Sequence, residues 1–229
     1  MHQGLPFCWP QFGPGPLQQH GLARYVVWEV ADVSASQVTF VLVPNDYTRA
    51  RWNKEFELRY KVTLGDTELA VELTARNTGA APFLHQAALH TYFRVSDIRE
   101  ARISGAFAGS TFIDKTDRNA RKVERRNVLD IVKFTDAVYL GVHKKSQPIS
   151  LQSGEGFRRI EIVPETGFED CVVWNPGGTQ PGMEHVENWR DYVCIESAMI
   201  EPQELAPGEE WVGRFALRPQ PVERSRESP

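Results

Sequence analysis

Apolar and polar residues alternate along much of this chain with a period of two. In FELRYKVTL (56–64) and LAVELTAR (69–76) the apolar side chains fall on one side, as in a strand with one buried face. YVVWEV (25–30) and QVTFVLV (37–43) are β-rich runs too. The pattern resumes in ARISGAFAG, DAVYLGVH, QPISLQS, RRIEIVP, DCVVWNP and EEWVGRFALRP. Turn-forming residues separate the runs: PND at 44–46, GD at 65–66 and NTG at 77–79. No amphipathic helix longer than about three turns is legible. Many short strands at regular spacing predict an all-β fold, a large antiparallel β-sandwich, as one domain over residues 1–218. The remainder, PQPVERSRESP (219–229), reads as a disordered polar tail.

Composition narrows the classes. The 229 residues are 41% hydrophobic, enough for one well-packed core. With 26 Lys and Arg against 30 Asp and Glu the net charge is −4, which points away from nucleic acid. No apolar run suits a membrane span, and the first residues lack the basic and apolar regions of a signal peptide. The expected location is the cytoplasm and the expected state a monomer. Cys8, Cys171 and Cys194 show no CxxC spacing, so they read as free thiols in a reducing compartment, with no metal site indicated. Residues 114–133 carry seven Lys or Arg, but four acids are interleaved and no aromatic is available for stacking. This segment reads as a solvated excursion between strands.

Four stretches carry candidate chemistry. In ALHTYFRVSDI (88–98), alternation puts His90, Tyr92 and Arg94 on one face and Leu89, Thr91 and Phe93 on the other. Such a histidine is either a satisfied structural residue or an acid–base group suited to neutral pH. In DYVCIESAMI (191–200), Tyr192, Cys194 and Glu196 share a side. A glutamate in an apolar strand needs a partner or a raised pKa; a sheet-edge ion pair is the alternative. CVVWNPG (171–177) reads as a buried strand entering an Asn-Pro turn. The fourth stretch, CWPQFGPGPLQQHGLAR (8–24), is a rigid aromatic loop tipped with charge.

With FTDAVYL (134–140) and LAPGEEW (205–211), these motifs resemble the hexose-6-phosphate mutarotases (glucose-6-phosphate 1-epimerases), a branch of the aldose 1-epimerase superfamily. The resemblance runs in order from residue 4 to about residue 212 and is closest to plant and algal members. It implies an antiparallel sandwich with an open cleft, no cofactor and no metal. The implied reaction interconverts the α and β anomers of an aldose 6-phosphate, a small-molecule sugar phosphate. Glu196 matches the family's base and His90 its acid. Arg24 matches an arginine on the sugar phosphate, Gln19 a neighbouring substrate contact, and Asp136 an aspartate that accepts from sugar hydroxyls. His20, beside Gln19, either orients substrate or packs.

Two departures from the family pattern stand out. Family members carry further strands and an Arg-Gly-Gly ahead of the aromatic loop; here the chain reads MHQGLPF, with His2 at the arginine's position and Gln3 at a glycine's. The chain is therefore expected to begin with the first sheet already under way, leaving a sheet edge exposed. A start further upstream, which could carry a plastid-targeting segment, a natural short form and a relic are all open readings. Ala137 stands where an arginine commonly follows the aspartate. Both changes remove positive charge, so a non-catalytic carbohydrate- or phosphosugar-binding sandwich is the alternative function.

Overall fold

The computed structural model describes residues 4–154, 159–178 and 188–221. Its strands are β1 (Phe7–Cys8), β2 (Glu29–Val33), β3 (Gln37–Leu42), β4 (Phe56–Leu64), β5 (Leu69–Asn77) and β6 (Phe83–Leu89). Then come β7 (Tyr92–Arg94), β8 (Arg102–Ser104), β9 (Thr111–Asp114), β10 (Ala120–Val123), β11 (Val128–Leu129) and β12 (Thr135–Tyr139). The last are β13 (Ile149–Gln152), β14 (Arg159–Thr166), β15 (Asp170–Asn175), β16 (Tyr192–Leu205) and β17 (Glu210–Gln220). They form two antiparallel sheets, the expected sandwich. One runs β1-β6-β16-β15-β12-β9-β10, with β7 also paired to β16; the other runs β11-β8-β13-β14-β17-β5-β4-β3-β2.

Alternation builds the layers. In β16, Val193 and Ile195 enter the main core between the sheets, together with Leu58, Leu73 and Phe215. A smaller apolar cluster of Cys8, Ala88, Val138, Val172 and Ala198 lies apart from that core. The first sheet is thus covered on one face by the second sheet and partly covered on the other. That second face is where Glu196 and His90 emerge.

Several sequence expectations need correction. The run 25–30 is strand only from Glu29: Tyr25 N–H closes a 3-10 turn on Leu22, and the Trp28 indole donates to the Ala23 carbonyl at 2.9 Å. The PND signal starts α1 (Asp46–Arg51), the one α-helix among the described residues. Asn45 caps it, accepting from Thr48 N–H at 3.0 Å while the Thr48 hydroxyl accepts from Asn45 N–H at 2.9 Å. The charged segment 114–133 is not a plain excursion, since it contains β10 and β11 and pairs within both sheets. Residues 219 and 220 continue β17, because Pro219 and Gln220 pair with Ile160 and Arg159. Residues 222–229 and the positions of His2 and Gln3 lie outside the described residues. Ala137 is buried in the main core, so its side chain points away from the face that carries the charged cluster.

The aromatic loop is anchored through Trp9. This side chain is 0% exposed, packs edge-on against Trp52, Phe56 and Phe83, and donates to His85 Nδ1 at 3.2 Å. The loop returns on itself where Leu22 N–H bonds the Trp9 carbonyl at 2.8 Å. Gly21 makes that return possible: its φ is +75°, and a Cβ there would stand 2.3 Å from the Trp9 oxygen. Within the loop, the Gln11 amide donates to Gly13 O and Leu17 O, and its oxygen accepts from Leu17 N–H. Trp9→Ala should cost about 3–5 kcal/mol through the cavity it leaves. Trp9→Phe should cost about 1–2 kcal/mol by stranding His85 Nδ1. Urea midpoints test both, and a Trp9→Ala protein as stable as the parent would refute the anchoring role.

Candidate active site

Strand register assembles the site. Cys194 of β16 stands between Trp174 of β15 and Tyr92 of β7. Trp174 in turn pairs with Asp136 of β12. One step along, Glu196 pairs with Val172, which pairs with Val138. Leu89 ends β6 opposite Ser197, so His90 arrives beside Glu196. His90 and Thr91 interrupt the strand that alternation predicted to be continuous, yet His90 and Tyr92 still share a face. Their rings stack at 5.0 Å with an interplanar angle of 11°.

At the centre, His90 Nε2 lies 3.4 Å from Glu196 Oε1. Glu196 is 1% exposed and His90 9%. The alternative of a sheet-edge glutamate fails, because β16 is flanked by β6 and β15. Burial pushes the Glu196 carboxyl well above the usual range; the Asp136 carboxylate adds to this and the Arg24 cation opposes it. Its second oxygen, Oε2, is buried and has no hydrogen-bond partner among the described residues. Asp136 is half-buried and raised to about 6 by burial, with Lys115 opposing and Asp114 adding. Cys194 Sγ joins the pair: one ligand-type atom each from His90, Cys194 and Glu196 lie within 4.8 Å of one another. Sequence spacing gave no signal for that trio, because strand pairing alone brings the imidazole to the other two.

The aromatic loop supplies one flank. His20 meets His90 edge-on, with ring centres 5.4 Å apart. Its Nδ1 accepts from Gly13 N–H at 3.2 Å, which leaves the proton of a neutral ring on Nε2, facing the Gln19 amide at 3.3 Å. Burial, helped by Arg24, lowers His20 to about 4, so it is neutral near pH 7. His20 adopts a positive φ of 67°, a left-handed conformation rare for a side chain other than glycine. Arg24 follows in the 3-10 turn Ala23–Tyr25 and acts electrostatically on Glu196, His20 and Cys8. Gln19 is exposed at the loop's surface. The structure therefore draws His90, Glu196, His20, Arg24 and Asp136 into one electrostatic neighbourhood, with Gln19 at its margin.

Sequence reasoning undervalued Asn175. Read as part of a plain turn, it is 0% exposed and donates to the carbonyls of Trp189 and Tyr192, both at 2.8 Å. Asn175 thus ties the end of β15 to the start of β16, the strand that carries Glu196.

A two-sheet sandwich whose one face holds a buried carboxyl–imidazole pair is suited to acid–base chemistry. The sequence pattern of the aldose 1-epimerase family matches residues 1–218. A protein of Cenchrus ciliaris named "Putative glucose-6-phosphate 1-epimerase" is 33% identical over 231 residues, covering 93% of this chain and 69% of that one. A protein of the same name from Escherichia coli (strain K12) is 32% identical over 205 residues, covering 85% and 66%. A solved Salmonella typhimurium structure described as "a putative mutarotase" is 27% identical with a TM-score of 0.80, covering 94% of this chain and 73% of that one. The chain thus spans roughly two-thirds of the length of the curated relatives. It belongs to the aldose 1-epimerase family and is an isomerase. No helix among the described residues is long and apolar enough to cross a membrane.

The coupling between Asp136 and Glu196 is testable. Asp136→Asn removes a negative charge, so the Glu196 carboxyl should lose its proton at lower pH than in the parent. Infrared difference spectra of the protonated carboxyl band across pH check this. An unchanged Glu196 titration would show that the two groups do not interact.

Proposed function

We propose that the chain interconverts the α and β anomers of hexose 6-phosphates, glucose 6-phosphate among them, with Glu196 and His90 as the acid–base pair. The observation that carries this reading is the 3.4 Å approach of the imidazole to the buried carboxyl, with Arg24 nearby. The pair shares a proton. With that proton on His90, Glu196 takes the O1 hydroxyl proton while His90 protonates the ring oxygen. The bond between C1 and the ring oxygen breaks, its electron pair stays on the oxygen, and C1 becomes an aldehyde. Rotation about C1–C2 presents the other face, and closure returns both protons with the roles reversed.

The remaining residues divide the binding. Arg24 offers a guanidinium to the phosphate, where a planar fork binds well. Asp136 accepts from sugar hydroxyls, and Gln19 and His20 orient the substrate from the loop. Such a loop, tied down before substrate arrives, lowers the ordering cost of binding. The family names of the relatives support the 6-phosphate as substrate, and the reaction needs no cofactor. Three free buried thiols suit a reducing, cytoplasmic setting.

The test is anomer exchange measured by magnetisation-transfer NMR. Glu196→Gln and His90→Asn should each slow exchange by about 10²–10⁴-fold while glucose 6-phosphate still binds. Full activity in either variant would remove that residue from the chemistry. Binding by the parent without faster exchange would favour the non-catalytic sandwich instead. Arg24→Ala should slow exchange of both sugars, because it removes the cation that restrains Glu196, and should in addition raise KM for glucose 6-phosphate on the order of 10–100-fold, the worth of a charge-assisted bond that free glucose does not make. An equal loss with both sugars would dissociate Arg24 from the phosphate.

A further inference from the structure

The acid–base pair does not account for Cys194. Its thiol is 0% exposed yet faces the same cluster as Glu196, two residues along one strand face. Imidazole nitrogen, thiolate sulfur and carboxylate oxygen are the donors that suit zinc and similar borderline ions, whereas magnesium and calcium prefer oxygen alone. The three donor atoms lie within 4.8 Å of one another, and the nitrogen and oxygen are 3.4 Å apart. Ligands at roughly 2.0–2.3 Å in a tetrahedron stand about 3.3–3.8 Å from each other, so small side-chain shifts close the set. A second feature points the same way: Glu196 Oε2 is buried without a hydrogen-bond partner among the described residues.

We propose that His90, Cys194 and Glu196 form a binding site for Zn²⁺ or a similarly soft divalent cation, which inhibits the enzyme by occupying its acid–base pair. Three protein ligands leave a fourth position for water or a sugar hydroxyl. Binding expels the thiol proton and the proton the Glu196–His90 pair holds, so it weakens in acid. The other charged or titratable groups facing the cluster are Arg24 and His20 from the loop, Asp136 from β12, Tyr92 and Tyr192, and Cys8 from β1. Arg24 opposes a dication and Asp136 favours one, so the ion sits between compensating charges.

Cobalt substitutes for zinc and reports its ligands by colour. The intact protein with Co²⁺ should show a near-ultraviolet thiolate-to-cobalt band that Zn²⁺ abolishes and glucose 6-phosphate weakens. Cys194→Ser should lose the band and bind Zn²⁺ on the order of tenfold or more weakly, whereas Cys8→Ser should keep both. Glu196→Gln should also lose at least about tenfold in Zn²⁺ affinity, which serves if Cys194→Ser does not fold. Zn²⁺ should slow anomer exchange, and a chelator should restore it. A cobalt spectrum without the thiolate band, or a Cys194→Ser protein with the parent's zinc affinity, would overturn the site. The inhibition rests on the acid–base reading above but the cobalt spectrum does not, so the two can fail separately.

Discussion

A carboxyl group 1% exposed in the middle of a β-sheet is hard to keep there. An ionised carboxylate loses several kcal/mol of solvation on burial unless charge and hydrogen bonds replace the water. Glu196 has one partner at Oε1, His90, and none among the described residues at Oε2. The surroundings are arranged around that unfinished environment. β16 must be central, with β6 and β15 fixed on either side, or the carboxyl would turn to solvent. The second sheet must back it, so that Val193 and Ile195 hold the strand from below. A positive charge must stand near enough to moderate the burial, and Arg24 does so from a distant part of the sequence.

Delivering Arg24 is the work of the aromatic loop, whose rigidity follows from packing. Trp9 is clasped by three aromatic rings and bonded to a buried histidine, and the chain folds back onto its carbonyl across Gly21. The Gln11 amide bonds the Gly13 carbonyl and the Leu17 N–H inside the loop and so ties its two arms together. His20 is consequently fixed edge-on to His90. Loop and sheet meet at the His90–Glu196 pair, so a change at Trp9 reaches that pair through Arg24 and His20.

Alternation revealed most of this architecture because a half-buried strand writes its two faces into the sequence. It placed Cys194 and Glu196 together and Val193 and Ile195 opposite, as the sheet does. It failed where backbone and side chain bond locally. Asn45 and Thr48 turn a loop signal into a helix, and Trp28 bonds Ala23 where a strand was read. It could not bring His90 to Glu196, since only the pairing of β6 with β16 makes them neighbours. Ala137 shows the same limit from the other side: adjacent to Asp136 in sequence, it faces the opposite layer.

A reversible reaction at His90 and Glu196, as proposed, accounts for a pair left so weakly compensated. In the proposed mechanism ring opening and closure use the same two groups with roles exchanged, so neither can hold its proton much more tightly than the other. A Glu196 fully satisfied by hydrogen bonds would be a poor base, and one buried without Arg24 would not release its proton. Burial and Asp136 raise the carboxyl while Arg24 restrains it. The loop keeps His20 neutral, so no second imidazolium repels a protonated His90. The balance lies in where these charges stand along one row of strands. For the same reason, an ion able to replace the shared proton would find its ligands already gathered.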